Sequence, residues 1–109
     1  MVPNDVYKSF MEAGTDWADK HAASELRAAT VKTVRAKIAM EYQQNKGCSM
    51  AMALEHALAS PSYASILEEY AEASKEANRA KVRYEATKAL FEAQRTAAAS
   101  ERAVMGAAT

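Results

Sequence analysis

The sequence predicts an all-α protein: a long antiparallel helical hairpin, coiled-coil-like, with a short helix at the tip and an oligomeric habit. Three observations carry this. From Ser60 to Met105 there is no glycine, and no proline after Pro61. Within that run Tyr63, Tyr70, Ala77, Tyr84, Phe91, Ala98 and Met105 recur every seven residues. Upstream, Phe10, Trp17, Ser24, Val31 and Ile38 do the same. Sustained seven-residue spacing on two helices is the mark of a coiled-coil seam.

Met1 to Pro3 reads as a short lead-in. Asn4 or Asp5 can then cap a first helix, and Asp5 places a negative charge where the helix dipole favours it. Val6, Ala13, Val34 and Tyr42 lie three or four residues from the seven-residue row, so the helix is amphipathic over about 5–44. Gly14 sits inside it at a cost of roughly 1 kcal/mol relative to alanine. It is either simply tolerated, or marks the close approach of a neighbouring helix, or is a break that would leave Asp5 to Ala13 as a separate short helix.

Asn45-Lys46-Gly47 is a stop signal, because glycine readily takes the left-handed conformation that closes a helix. Ser49 can cap a short helix over about 50–59. That helix carries Met52, Leu54, His56 and Leu58 and would cover the hairpin tip. Ser60-Pro61 ends it and opens a helix over about 61–105, since proline's missing N–H is harmless in a first turn. Gly106 to Thr109 should fray. With no internal repeat and no linker, residues 1–109 read as a single helical-hairpin domain.

The charges alternate in blocks. Residues 5–20 carry Asp5, Glu12, Asp16 and Asp19 against Lys8 and Lys20; residues 27–46 carry Arg27, Lys32, Arg35, Lys37 and Lys46 against Glu41. Residues 55–76 are acidic through Glu55, Glu68, Glu69, Glu72 and Glu76 against Lys75. Residues 79–102 are basic through Arg79, Lys81, Arg83, Lys88, Arg95 and Arg102 against Glu85, Glu92 and Glu101. An antiparallel hairpin sets unlike blocks against each other. Such pairs fix orientation more than stability, at about 0–1 kcal/mol each. Two chains packed antiparallel would satisfy the same pattern.

The overall balance, 14 basic against 14 acidic side chains, favours neither nucleic acid nor an acidic surface as partner. Alanine dominates the hydrophobic half of the composition, so the core is thin and a second chain would complete it. A lone cysteine, Cys48, allows no internal disulfide and fits a reducing compartment. No signal peptide and no membrane span are apparent, so the expected location is the cytosol.

Chemistry-bearing groups are sparse. His21 and His56 have no metal-ligand spacing, and there is no Glu-x-x-His pair of the kind that builds a di-metal bundle. Cys48 has no evident base beside it. No metal, cofactor, small-molecule substrate or catalytic residue is expected, and the chain reads as a non-enzyme. Glu68, Glu69 and Glu72 form a carboxylate cluster that is either solvated or paired with the basic 27–46 segment. Lys81, Lys88, Arg95 and Arg102, every seven residues, form a stripe that could track the phosphates of single-stranded nucleic acid, with Arg79 and Arg83 nearby and Tyr84 and Phe91 stacking bases. The plainer reading puts those aromatics in the seam. Phe10 and Trp17 are core or, with Tyr84 and Phe91, a protein interface at the open end. Met40, Met50 and Met52 cluster around the tip, where flexible methionines suit an adaptable binding surface; core filling is the preferred reading.

The stretch from Ala57 to Arg102, with Pro61, Tyr63 and the Arg95-Thr96 to Arg102 segment as its marks, resembles small uncharacterised alanine-rich helical proteins of tailed phages and prophages. The resemblance implies a phage-derived protein in a bacterial host cytoplasm, in the neighbourhood of phage DNA metabolism. Together these features predict a self-associating coiled-coil interaction protein that binds another macromolecule, as an accessory factor in that process. The alternative is an inhibitor of a host defence complex, anti-CRISPR-like, acting through the acidic Glu68–Glu72 surface.

Overall fold

The computed structural model describes residues 4–108; the lead-in expected at Met1 to Pro3, and Thr109, lie outside the described residues. The described chain is helical apart from the short connections around Gly47–Ser49 and Ala59–Ser60. Helix α1 spans Asn4–Lys46, α2 spans Met50–Leu58 and α3 spans Pro61–Ala108. It is a helical hairpin whose arms are α1 and α3, with α2 between them. Asn4 is itself helical rather than a cap, and Asp5 occupies the first turn. At the other end α3 runs through Gly106 to Ala108, beyond the point where the sequence pattern stops and fraying was expected.

The punctuation works as its chemistry requires. Gly47 takes a φ of +66° and its N–H donates to the Gln43 carbonyl at 2.8 Å, closing α1. The Ser49 hydroxyl accepts from the Met52 N–H at 3.3 Å, which caps α2. The Ala59 N–H is shared between the Glu55 and His56 carbonyls, and that of Ala64 reaches the Ser60 carbonyl, so the break between α2 and α3 is only a residue or two long.

Packing divides the chain into two compact units, one of residues 4–19 with 78–108 and one of Lys20–Ala77. In the first, Phe10 stacks on Tyr84 and Phe91, Trp17 stacks on Tyr84, and Tyr7 tilts against Phe91. Partners descend along α3 as the position along α1 rises, so the helices run antiparallel. Ala13, Ala80 and Ala98 are the buried hydrophobics of this unit. Gly14 does not break α1. A Cβ on it would lie 3.2 Å from Tyr84 Cε1, so glycine is there to admit the tyrosine ring.

In the second unit Ala39, Ala53 and Ala57 form a cluster, flanked by Ile38, Tyr42 and Cys48. Through this cluster α2 meets α1, and the Tyr42 ring stacks on His56 with centroids 3.7 Å apart. Ala77 and Ser24 are also buried here. The seven-residue rows lie inward as expected, with the exception of Met105, which is exposed. A second row accompanies them on α3: Ile66, Ala73, Ala80, Thr87 and Gln94 are all wholly or partly buried. Among the described residues the buried hydrophobic ones are alanines, and no large side chain is fully enclosed. The methionines near the tip are not core filling: Met40, Met50 and Met52 are all exposed, as are Leu54 and Leu58. Alanine takes the inside of α2 because Ala53 and Ala57 let the short helix lie close against α1.

Candidate functional site

The first unit settles the position of the candidate aromatics. Phe10, Trp17, Tyr84 and Phe91 are half-buried and occupied with one another at centroid separations of 5.1–5.5 Å. Offset ring pairs at that range are worth about 0.5–1.5 kcal/mol beyond the area they bury. Tyr84 and Phe91 are therefore seam residues, and their faces are not presented to a nucleobase.

The six cationic candidates, Arg79, Lys81, Arg83, Lys88, Arg95 and Arg102, are all exposed. They do not form one surface. At 3.6 residues per turn, Arg79 and Arg83 fall about 160° around α3 from Lys81, on the opposite flank of the seam. There Arg83 reaches Asp16 at 3.8 Å, an antiparallel pairing of the acidic 5–20 block with the basic 79–102 block. The remaining stripe is not purely basic. Glu85 lies four residues after Lys81 and Glu92 four after Lys88, so carboxylates alternate with the cations on that face. Arg95 turns over the Phe91 ring at 5.8 Å from its centroid. A stripe of alternating sign with its aromatics turned inward is a solvated helix flank, poorly suited to following a phosphate chain.

In the second unit Glu68, Glu69 and Glu72 do come together. With Glu76, Ser65, Ala73 and Arg27 they line an open surface groove. Arg27 meets Glu69 at 3.4 Å, the expected cross-seam pairing of the 27–46 and 55–76 blocks. Glu68, Glu69, Glu72 and Glu76 are all exposed on this groove. His21 lies 4.0 Å from Glu25 one turn along α1, and His56 is held against Tyr42. Among the described residues no cluster of three or more histidine, cysteine or acidic side chains is placed to hold a metal ion. None of the described helices is long and apolar enough to cross a membrane.

The feature that the inward rows conceal is on the outside. In the second unit Ala22, Leu26, Ala29, Thr33, Ala36 and Met40 recur at alternating steps of four and three along α1. All six are exposed, with Leu26 at 68% and Met40 at 53%. Their mean direction is about 180° around the helix from Ser24, Val31 and Ile38. No charged residue falls within the stripe, and an open groove runs along its end at Thr33, Ala36 and Met40, edged by Lys32, Lys37 and Glu41. Thr33 donates its hydroxyl back to the Ala29 carbonyl at 3.1 Å, which lowers its polarity. In the first unit, Val82, Ala86, Ala89, Ala93, Thr96, Ser100 and Ala103 repeat the device on α3, again uncharged and exposed. A helix with water on its outer face normally carries charged and polar residues there. The signal was available in the sequence as a second set of seven-residue rows, hidden because most of its members are alanine.

No protein-family model, no curated protein and no solved structure matches this chain.

Proposed function

We propose that the protein is a non-enzymatic coiled-coil interaction protein that associates with itself and presents helix faces to another macromolecule. The observation that carries this is the exposed, charge-free row Ala22, Leu26, Ala29, Thr33, Ala36 and Met40, opposite a seam whose buried members are alanine and serine. A thin inner core makes a small contribution to stability, and an outer face with the same periodicity is shaped to receive a further helix. The likeness of Ala57 to Arg102 to phage-encoded helical proteins supplies the proposed setting, a bacterial cytoplasm under phage infection, close to DNA metabolism. The faces supply the mechanism, which is docking and not chemistry.

Size-exclusion chromatography with light scattering tests the self-association. The expected result is a mass that is a multiple of the 11.8 kDa chain. A monodisperse monomer with full helicity and a cooperative melt would overturn it.

A further inference from the structure

We infer that the outer face of α1 in the second unit is a homodimer seam, on which a second copy of this chain packs antiparallel about a two-fold axis near Ala29. The inference rests on the self-association reading and specifies its contact. Leu26, Thr33 and Met40 form one seven-residue row of the face and Ala22, Ala29 and Ala36 the other, all exposed. These are the two inward rows of a coiled-coil heptad, with Leu26 and Met40 as knobs and the alanines of the partner leaving room for them. Three alanines spaced by seven also let two helix backbones approach closely at the centre.

Charge selects the occupant and its direction. One flank of the stripe carries Glu25 and Lys32, seven residues apart; the other carries Ala23, Thr30 and Lys37. A two-fold antiparallel pairing lays each flank against the same flank of the partner in reverse order. Centred between Glu25 and Lys32, it sets Glu25 against the partner's Lys32 and Lys32 against the partner's Glu25. The same centre brings Ala29 beside the partner's Ala29, Ala22 beside the partner's Ala36, and Lys37 beside the partner's Ala23. A parallel pairing would oppose unlike flanks and place Lys32 against the partner's Lys37, two repulsions in place of two attractions. The face is thus complementary to itself in one orientation, which is what an isologous interface requires. Glu25 is available for this role, with its side chain 71% exposed and His21 only at 4.0 Å on its own helix.

A charge-swap series on the full chain tests the contact. Glu25→Lys alone and Lys32→Glu alone should each weaken the dimer by about tenfold or more at low salt, because each makes two like-charge contacts. The double swap Glu25→Lys with Lys32→Glu should restore it. In a Cys48→Ser background, Ala29→Cys should oxidise to a disulfide-linked dimer, whereas Ala71→Cys, an exposed position on α3, should not. Circular dichroism confirms that each variant keeps its helicity. A wild-type chain that is monomeric throughout overturns both this contact and the self-association reading. A dimer that ignores both single swaps, or that fails to link through Ala29→Cys, overturns the contact and leaves self-association standing on another face.

Discussion

The two compact units use the same hairpin geometry with different filling. In the unit of residues 4–19 and 78–108 the space between helices is taken by rings: Tyr7, Phe10, Trp17, Tyr84 and Phe91 touch one another in a continuous stack. In the Lys20–Ala77 unit the contact of α2 with α1 is made by methyl groups at Ala39, Ala53 and Ala57, with Ile38, Tyr42 and Cys48 around them. Rings bury 150–250 Å² each when enclosed, and alanine a small fraction of that. The half-buried rings of the first unit therefore contribute more area per residue than the alanines of the α1–α2 contact. The second brings α2 close to α1 through small residues; of its larger side chains Val31, Ile38, Tyr63, Ile66 and Tyr70 are half-buried, while Leu26, Met40, Met52, Leu54 and Leu58 are exposed. The lesson is that a heptad row announces a seam without saying how much energy the seam holds.

The largest expected effect breaks the aromatic side of that contrast. Phe10→Ala removes the ring that bridges Tyr84 and Phe91, and should cost about 3 kcal/mol. The corresponding fall in melting temperature is on the order of 10 °C or more for a chain of this size. Amide exchange should accelerate first in residues 4–19 and 78–108. Equal acceleration in residues 20–77 would mean that the two units do not differ in the way their fillings imply.

The alanine side should respond to the opposite perturbation. Ala57 is 0% exposed and packs with Ala39 and Ala53, so there is no room for a larger side chain. Ala57→Leu should destabilise by about 1–3 kcal/mol through overpacking and should release α2 from α1, seen as faster exchange in residues 50–58. The neighbouring Leu58→Ala, at an exposed position, should leave stability within about 0.5 kcal/mol of the parent. If Ala57→Leu proved neutral, the cluster would be loose and the close-approach account of α2 would be wrong.

These contrasts also show what was legible in the sequence. Gly47, Ser49 and Ser60-Pro61 have local mechanisms, and the helix ends follow them closely. The inward rows were legible because Tyr, Phe, Trp, Val and Ile stand out at seven-residue spacing. What lay inside α2 was not. Hydrophobicity favoured Met52, Leu54 and Leu58, but close approach of a short helix selects Ala53 and Ala57. The grouping of Arg79 and Arg83 with Lys81 failed for a geometric reason, since steps of two residues turn a helix by about 200°. The outer row on α1 does not stand out in the sequence because alanine belongs equally to helix propensity and to packing; its exposure in the folded chain separates the two.

Gly14 gives the smallest effect and the sharpest one, because two principles oppose each other at a single atom. Replacing a helix-interior glycine by alanine ordinarily stabilises by about 1 kcal/mol. Here the new Cβ would sit 3.2 Å from Tyr84 Cε1 and 3.4 Å from Cδ1, and the ring would have to give by a few tenths of an ångström. Tyr84 cannot give easily, since Phe10 stacks on it at 5.5 Å and Trp17 at 5.2 Å. Gly14→Ala should therefore lower stability slightly, by about 0.5–1 kcal/mol, against its propensity. In a Tyr84→Ala background, with the ring removed, the same substitution should raise stability by about 1 kcal/mol. The reversal of sign is a coupling energy that thermal or urea unfolding of the four proteins measures directly. If Gly14→Ala stabilises equally in both backgrounds, the rings at this point are mobile enough to yield. The aromatic unit would then be loosely packed at this point.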